Sequence, residues 1–262
     1  MRMTETEQST ISTFYDCLAP SYDLMTGFEK RFVAEKPFFK LLVERNNIRT
    51  ALDAGCGSGF HSILLAQLGV DVTAIDLSPT MLEKVEAHAT RYKTKIETVQ
   101  SSFADVSRKV GKTFDAIFCM GNSLAHLRTP NELAEALHNF HLSLSVGGIL
   151  FLQILNYERI LRSKDKILSV KEEGGTTFVR FYNYHESSIE FNILELRNEN
   201  GTIAHSIQSI ELYPLQSSEL LAALKQHHFT DIQRYGSIAL EEFDPNVSRD
   251  LVVLVKKASA DS

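Results

Sequence analysis

The chain has 262 residues, a formal net charge of −6 at pH 7, and 44% hydrophobic against 23% charged residues. That apolar content supplies a core, and with only 13 glycines and 6 prolines the chain is neither disordered nor collagen-like. An acidic chain without a lysine/arginine block is a poor candidate for duplex nucleic acid, whose binding rests on cations neutralising phosphates.

No stretch of roughly 18 uncharged apolar residues is present, so no transmembrane helix is expected. The start, MRMTETEQST, lacks the apolar stretch of a secretory signal. Cys17, Cys56 and Cys119 are too irregularly spaced for a disulfide framework or a zinc site, so the expected compartment is the cytoplasm.

Residues 8–46 read as helical, with Phe14, Tyr15, Leu18 and Tyr22 at helical spacing, a break at Pro20, and a second helix opened by Pro37. Residues 49–54 form a short apolar run ending in glycines. A helix over 61–68 stops at Gly69, and 70–76 alternates as a strand. Ser78 and Pro79 supply the N-cap and first position of a helix running to about 90. Strands follow at 95–100 and 114–119, then a helix over 130–144 ending at Gly147-Gly148, then a continuous apolar strand at 149–155. This alternation predicts βαβ units in a parallel sheet buried on both faces. Residues 166–213 break the pattern with four closely spaced strands near 166–171, 177–184, 189–197 and 202–213, which suggest antiparallel hairpins. Helix 217–227 and strands 230–236 and 250–256 complete the α/β pattern.

The informative stretch is Asp53-Ala54-Gly55-Cys56-Gly57-Ser58-Gly59, at the end of the first strand. Glycines there let backbone approach a ligand closely at a helix start. A dinucleotide fingerprint needs a third glycine where this chain has Phe60. The pattern D-x-G-x-G-x-G instead resembles the first motif of the class I S-adenosylmethionine-dependent methyltransferases. Asp76 ends the second strand, where a carboxylate can accept from two ribose hydroxyls. The resemblance implies a Rossmann-like, doubly wound seven-stranded sheet with a small antiparallel β insertion. It implies S-adenosylmethionine as cofactor, leaving S-adenosylhomocysteine. Asp53, Gly55, Cys56, Gly57, Gly59, Asp76 and Leu77 would hold it. Ser102 or Asp105 would receive the adenine, with Phe103 packed on the ring, and Met120 and Gly121 would meet the ammonium.

The run Gly121-Asn122-Ser123-Leu124-Ala125-His126-Leu127 resembles the G-N-S-F-A-H-L of glycine N-methyltransferase and its glycine/sarcosine relatives. Asn156-Tyr157-Glu158-Arg159-Ile160-Leu161 matches their N-Y-D-x-I-L, and Leu212-Tyr213-Pro214 their Y-Y-P. The resemblance implies methyl transfer to a small molecule, most simply at nitrogen, with His126, Asn122 and Tyr157 at the reacting centre. One departure bears on the acceptor. The glycine enzymes read D-H-R-N-Y, and their arginine grips the substrate carboxylate; Leu155 stands at that position here. Losing a charge-assisted hydrogen bond of roughly 1.5–3 kcal/mol costs on the order of 10- to 100-fold, so glycine is disfavoured unless Arg159, Arg180 or Arg31 replaces it.

The expected organisation is a helical lid over 1–48, a cofactor-binding domain over 49–160 and 214–262, and the insertion over 161–213. Tyr15 and Tyr22 would close the lid on the cofactor, and Arg31 would meet its carboxylate. No metal is expected: His138/His141 and His227/His228 lack a third ligand. The expected partner is a small-molecule methyl acceptor, with no nucleic acid and no membrane, in a monomer or homodimer. The competing readings are an O-methyltransferase of a hydroxyl or carboxyl acceptor, a nicotinamide oxidoreductase, and a non-catalytic S-adenosylmethionine-binding protein.

Overall fold

The computed structural model describes residues 3–199 and 201–258. The first helix, α1 (Glu5–Thr26), is capped by Thr4, whose hydroxyl accepts from Glu7 N while the Glu7 side chain accepts from Thr4 N. Helix α2 (Phe28–Arg45) follows at once. The break between them is at Gly27, which adopts the left-handed conformation (φ 73°). Pro20, expected to break the first helix, and Pro37, expected to open the second, lie inside α1 and α2. An interior proline costs about 3 kcal/mol. Burial of Phe14, Leu18 and Met25 on α1 contributes about 1.5–3 kcal/mol each, so packing holds the helix through it.

The α/β part comprises β1 (Thr50–Ala54), α3 (Phe60–Gln67), β2 (Asp71–Asp76), α4 (Pro79–Arg91), β3 (Ile96–Gln100), α5 (Val106–Val110), β4 (Phe114–Cys119), α6 (Pro130–Ser143), β5 (Leu144–Leu155) and α7 (Tyr157–Ser163). The expected cap of α4 is present: Ser78 Oγ accepts from Met81 N at 3.0 Å. The glycine pair does not end α6. It lies within β5, where Gly147 takes φ 74° and the β4–β5 register shifts between Phe114 and Ala116. A Cβ on Gly148 would lie 3.0 Å from the Asp115 carbonyl oxygen, so only glycine fits against that neighbouring strand.

Strands β6 (Ile167–Glu173), β7 (Thr176–Tyr184), β8 (Ile189–Glu199) and β9 (Thr202–Leu212) come next, then α8 (Ser217–Gln226), β10 (Phe229–Tyr235) and β11 (Asp250–Lys257). The main sheet has the order β10-β11-β5-β4-β1-β2-β3. Strands β1 to β5 run parallel, and β11 is antiparallel to both β5 and β10. Helices cover both faces, which is why β5 reads as a continuous apolar run with Ile149, Leu150, Phe151, Leu152 and Ile154 buried. The winding direction reverses between β1 and β4, and a crevice opens at the carboxyl ends of those two strands.

The second sheet, β6-β7-β8-β9, is wholly antiparallel. Its Phe178, Tyr182, Ile193 and Leu212 share one buried cluster with Phe14 and Leu18 of α1 and with Leu152 and Ile154 of β5. The small sheet therefore roofs the end of the main sheet, with α1 wedged between them. No helix of the described residues is long and apolar enough to cross a membrane.

Candidate active site

The loop after β1 is held by its neighbours. The amides of Gly55 and Cys56 both donate to the Ile75 carbonyl, at 2.9 and 3.0 Å. Gly55 takes φ 71°, and a Cβ there would fall 2.8 Å from Ser123 Oγ. Glycine is required because this loop and the loop after β4 approach so closely. The Asp76 carboxylate accepts from Gly57 N and from Ser78 N, each at 2.9 Å, one on each oxygen. The Leu77 backbone N–H acts on the same carboxylate, which keeps acceptor capacity for a further hydroxyl donor. Burial pushes Asp76 up to about 6, against the pull of those backbone donors.

Two motif residues stand behind the loop rather than on the cavity wall. Asp53 is 1% exposed and accepts from Ser62 Oγ at 2.6 Å; burial raises its pKa. Gly59 opens α3, with no room for a Cβ against Val85. Both shape the loop from below.

The other expected cofactor residues line one cavity: Gly55, Cys56, Gly57, Asp76, Leu77, Ser102, Phe103, Met120 and Gly121, with Tyr15, Tyr22 and Arg31 from the helices above. Ser102 Oγ donates to Asp105 at 3.0 Å; Asp105 also pairs with Arg108 and does not line the cavity. Met3, Gln8, Ile11, Leu127, Glu132 and Glu135 are among the others that line it. Leu127 closes the motif after β4; Gln8 and Ile11 on α1 and Glu132 on α6 were missed, because those helices carry them without any local motif.

The C-terminal part of helix α1 is tied on two sides. Asp23 pairs with Lys84 at 2.8 Å and His88 at 3.3 Å on α4. On the small sheet, Lys171 Nζ donates to the carbonyls of Leu24 and Met25, and Ser21 Oγ donates to Glu195. N-terminal to these ties, the Tyr15 hydroxyl lies 2.8 Å from His126 Nε2. Arg31 donates through Nε to Glu35 at 2.6 Å and lies over the Phe60 ring at 4.0 Å.

A second cavity of about 480 Å³ lies under the small sheet. It shares Tyr15, Tyr22, Thr26, Arg31, Met120, Gly121 and His126 with the first, so these residues form the partition between the two. Asn122, Gln153 and Leu155 line the second cavity. Asn122 sits at φ 74°; its Nδ2 donates to Tyr157 Oη at 2.9 Å and its Oδ1 accepts from Leu155 N at 3.0 Å. Gln153 Oε1 accepts from Gly121 N at 2.7 Å. Tyr157 is fully buried and reaches neither cavity. Asn122 and Tyr157 therefore set the course of the loop after β4, while His126 faces the space between the cavities.

Burial holds His126 down at about 4, so its imidazole is neutral near pH 7. Burial and the nearby Asp76 charge raise Tyr22 to about 12, and Tyr15 is raised in the same way, so both phenols keep their protons.

The family profile described as "Methyltransferase domain" matches residues 51–148. A glycine/sarcosine N-methyltransferase of Parasynechococcus marenigrum (strain WH8102) is 34% identical over 242 residues, covering 92% of this chain and 82% of that protein. One from Aphanothece halophytica is 30% identical over 215 residues, covering 82% and 79%. The chain belongs to the class I S-adenosylmethionine-dependent methyltransferases. The crystal structure of such an enzyme from Clostridium acetobutylicum ATCC 824 superposes with a TM-score of 0.80 at 16% identity, covering 94% of this methyltransferase and 99% of that chain.

The first cavity of the methyltransferase fits its cofactor. Asp76 keeps acceptor capacity for a ribose hydroxyl. Leu77 and Phe103 offer apolar faces, and the Gly55–Gly57 cradle leaves room that any side chain would fill. Among the described residues, no group of three or more His, Cys, Asp or Glu side chains is placed to hold a metal ion. The rings of His138 and His227, and of His141 and His228, pair across α6 and the end of α8 with centroids 6.4 Å apart.

Proposed function

We propose that this methyltransferase acts on the nitrogen of a free small-molecule amine, and that glycine is not its preferred acceptor. The observation that carries the reading is the partition between the cavities. Among the described residues it holds no carboxylate, a neutral His126 and phenols that keep their protons. When bound, S-adenosylmethionine supplies an electrophilic methyl group for in-line displacement.

An amine arriving as the free base brings its own lone pair and needs no proton removed during attack. The burial that depresses His126 favours that neutral amine as well. A hydroxyl acceptor needs a general base, typically worth about 10²- to 10⁴-fold, and an imidazole with a pKa of about 4 is a weak one. The chain's own residues position and exclude water: α1 acts as a lid through Tyr15 and Tyr22, and Asn122 holds Met120 and Gly121 in place. The similarity to glycine/sarcosine N-methyltransferases supports nitrogen, and Leu155 on the second cavity's wall argues against glycine. The same reading has the enzyme working in the cytoplasm, as a monomer or homodimer, without nucleic acid or membrane.

S-adenosylhomocysteine release is to be measured over amines, phenols and hydroxy acids between pH 6 and 10. The expected result is turnover on amines, with a rate that rises with pH along the acceptor's own ionisation. Turnover confined to hydroxyl acceptors overturns the reading, and tight cofactor binding without turnover on any acceptor favours a sensor.

A further inference from the structure

The second cavity is cationic in an otherwise acidic chain. Arg31, Arg159, Arg180 and Arg249 line it, against the carboxylates of Glu35 and Asp250. Glu35 takes Arg31. The other three arginines come from α7, β7 and the segment before β11, and they line the second cavity alone.

These three form one cluster. Burial and the neighbouring charge of Arg249 lower the pKa of Arg180. Arg159 and Arg249 both act on Asp250, and Arg159 and Arg180 both act on Tyr182. Arg180 Nε donates to Ser169 Oγ at 2.8 Å, which aligns its guanidinium without neutralising it. Among the described residues, no carboxylate lies within 4.0 Å of the guanidinium nitrogens of Arg159, Arg180 or Arg249. Two buried polar atoms on this wall, Arg159 Nε and Tyr182 Oη, have no hydrogen-bond partner. Arg249 is exposed to water, whereas the unpartnered buried donors of Arg159 and Tyr182 beside the half-buried Arg180 are costly unless a ligand satisfies them.

We propose that the acceptor carries an anionic group, a carboxylate or a phosphate, held by Arg159, Arg180 and Arg249 with Tyr182, on a skeleton longer than glycine's. That the acceptor is an amine rests on the reading above; the anion site does not. The length follows from two observations. None of the arginine trio lines the partition where the methyl group passes. The cavity's 480 Å³ also falls in the range of roughly 300–1,000 Å³ that accommodates drug-sized ligands. Planar guanidinium groups converging from three elements suit a multidentate acid rather than a neutral hydroxyl.

The test is calorimetry on the protein saturated with S-adenosylhomocysteine. The probes are glycine, 3-aminopropionate, 4-aminobutyrate and 5-aminopentanoate, the alkylamine matching each, 3-aminopropylphosphonate and 4-hydroxybutyrate. At least one longer acid is expected to bind about tenfold or more tightly than both its alkylamine and glycine. That preference is expected to vanish in Arg180→Gln and in Arg159→Gln, while each variant binds S-adenosylhomocysteine as the wild type does, which also shows that it has folded. Phosphonate against carboxylate identifies the anion. Alkylamines binding as well as the acids, glycine binding best, no acid binding at all, or a preference surviving both variants would each overturn the proposal. The same acids are then offered with S-adenosylmethionine in the release assay: methylation of 4-hydroxybutyrate, with the amino acids bound but not turned over, overturns the nitrogen reading and upholds the anion site.

Discussion

The Tyr15 hydroxyl meets Nε2 of His126 at 2.8 Å, and this bond joins α1 to the loop after β4 where the two cavities adjoin. A single hydrogen bond of this kind contributes about 0.5–1.5 kcal/mol. Tyr15→Phe keeps the ring packing against Phe14 and Tyr22 but removes the bond. The KM for the cofactor is expected to rise by about three- to tenfold, with little change in Tm. Steady-state kinetics beside a thermal melt checks this, and a large drop in Tm with unchanged KM would mean that the bond serves the fold alone.

His126 also makes a prediction about pH. Its pKa falls from 6.5 to about 4 on folding, because burial penalises the charged ring. The unfolded chain therefore binds more protons between those values. The associated stability is fully present above pH 6.5 and is lost as pH drops towards 4. His126→Gln removes this contribution, so its melting temperature is expected to fall less steeply than the wild type's between pH 6.5 and 4. Parallel slopes in that window would place the ring in contact with solvent.

Asp76 is shifted the other way, and its pH effect runs through the ligand. Burial raises its carboxyl to about 6, whereas ribose hydroxyls donate best to the charged form. Below pH 6 the free protein must lose a proton to bind. The Kd for S-adenosylhomocysteine is expected to rise by about tenfold per pH unit as the pH falls below 6. Asp76→Ala is expected to weaken binding about tenfold or more at pH 7.5 and to flatten that dependence. Calorimetry in two buffers of different ionisation enthalpy reads both the affinity and the proton released. Equal affinity at pH 5 and pH 7.5 would show that Asp76 does not touch the ribose.

The parts of this enzyme written in local patterns were legible in the sequence. Gly55 and Asp76 obey a spacing rule because a loop and a strand end must meet at one crevice. The four strands of the small sheet announce themselves through closely spaced β-rich runs. Pro20 and Pro37 misled because the forces that keep α1 and α2 helical are long-range burial, which local propensity does not contain. The arginine cluster was half legible. Arg159 and Arg180 were readable, with Arg31, as cations able to replace the missing arginine. Arg249 and Tyr182 join them only because β11 pairs with β5 and the small sheet folds over both.

Asn122 gives the sharpest test of how the loop after β4 is held. At φ 74° it occupies the left-handed region, where a residue with an ordinary side chain loses roughly 1–2 kcal/mol and glycine loses nothing. Its amide bonds Tyr157 Oη on one side and Leu155 N on the other. Asn122→Ala forfeits both bonds and strains the backbone, so a loss of about 3 kcal/mol or more is expected. Asn122→Gly forfeits the bonds without the strain and is expected to recover about 1 kcal/mol of that in a denaturant titration. Both variants release Met120 and Gly121 from the clamp, so both are expected to lose kcat by a similar factor of about ten or more. If Asn122→Gly keeps wild-type kcat, the clamp positions nothing and only the backbone conformation is required. If Tyr157→Phe then lowers kcat while Asn122→Gly does not, the tyrosine works through another contact.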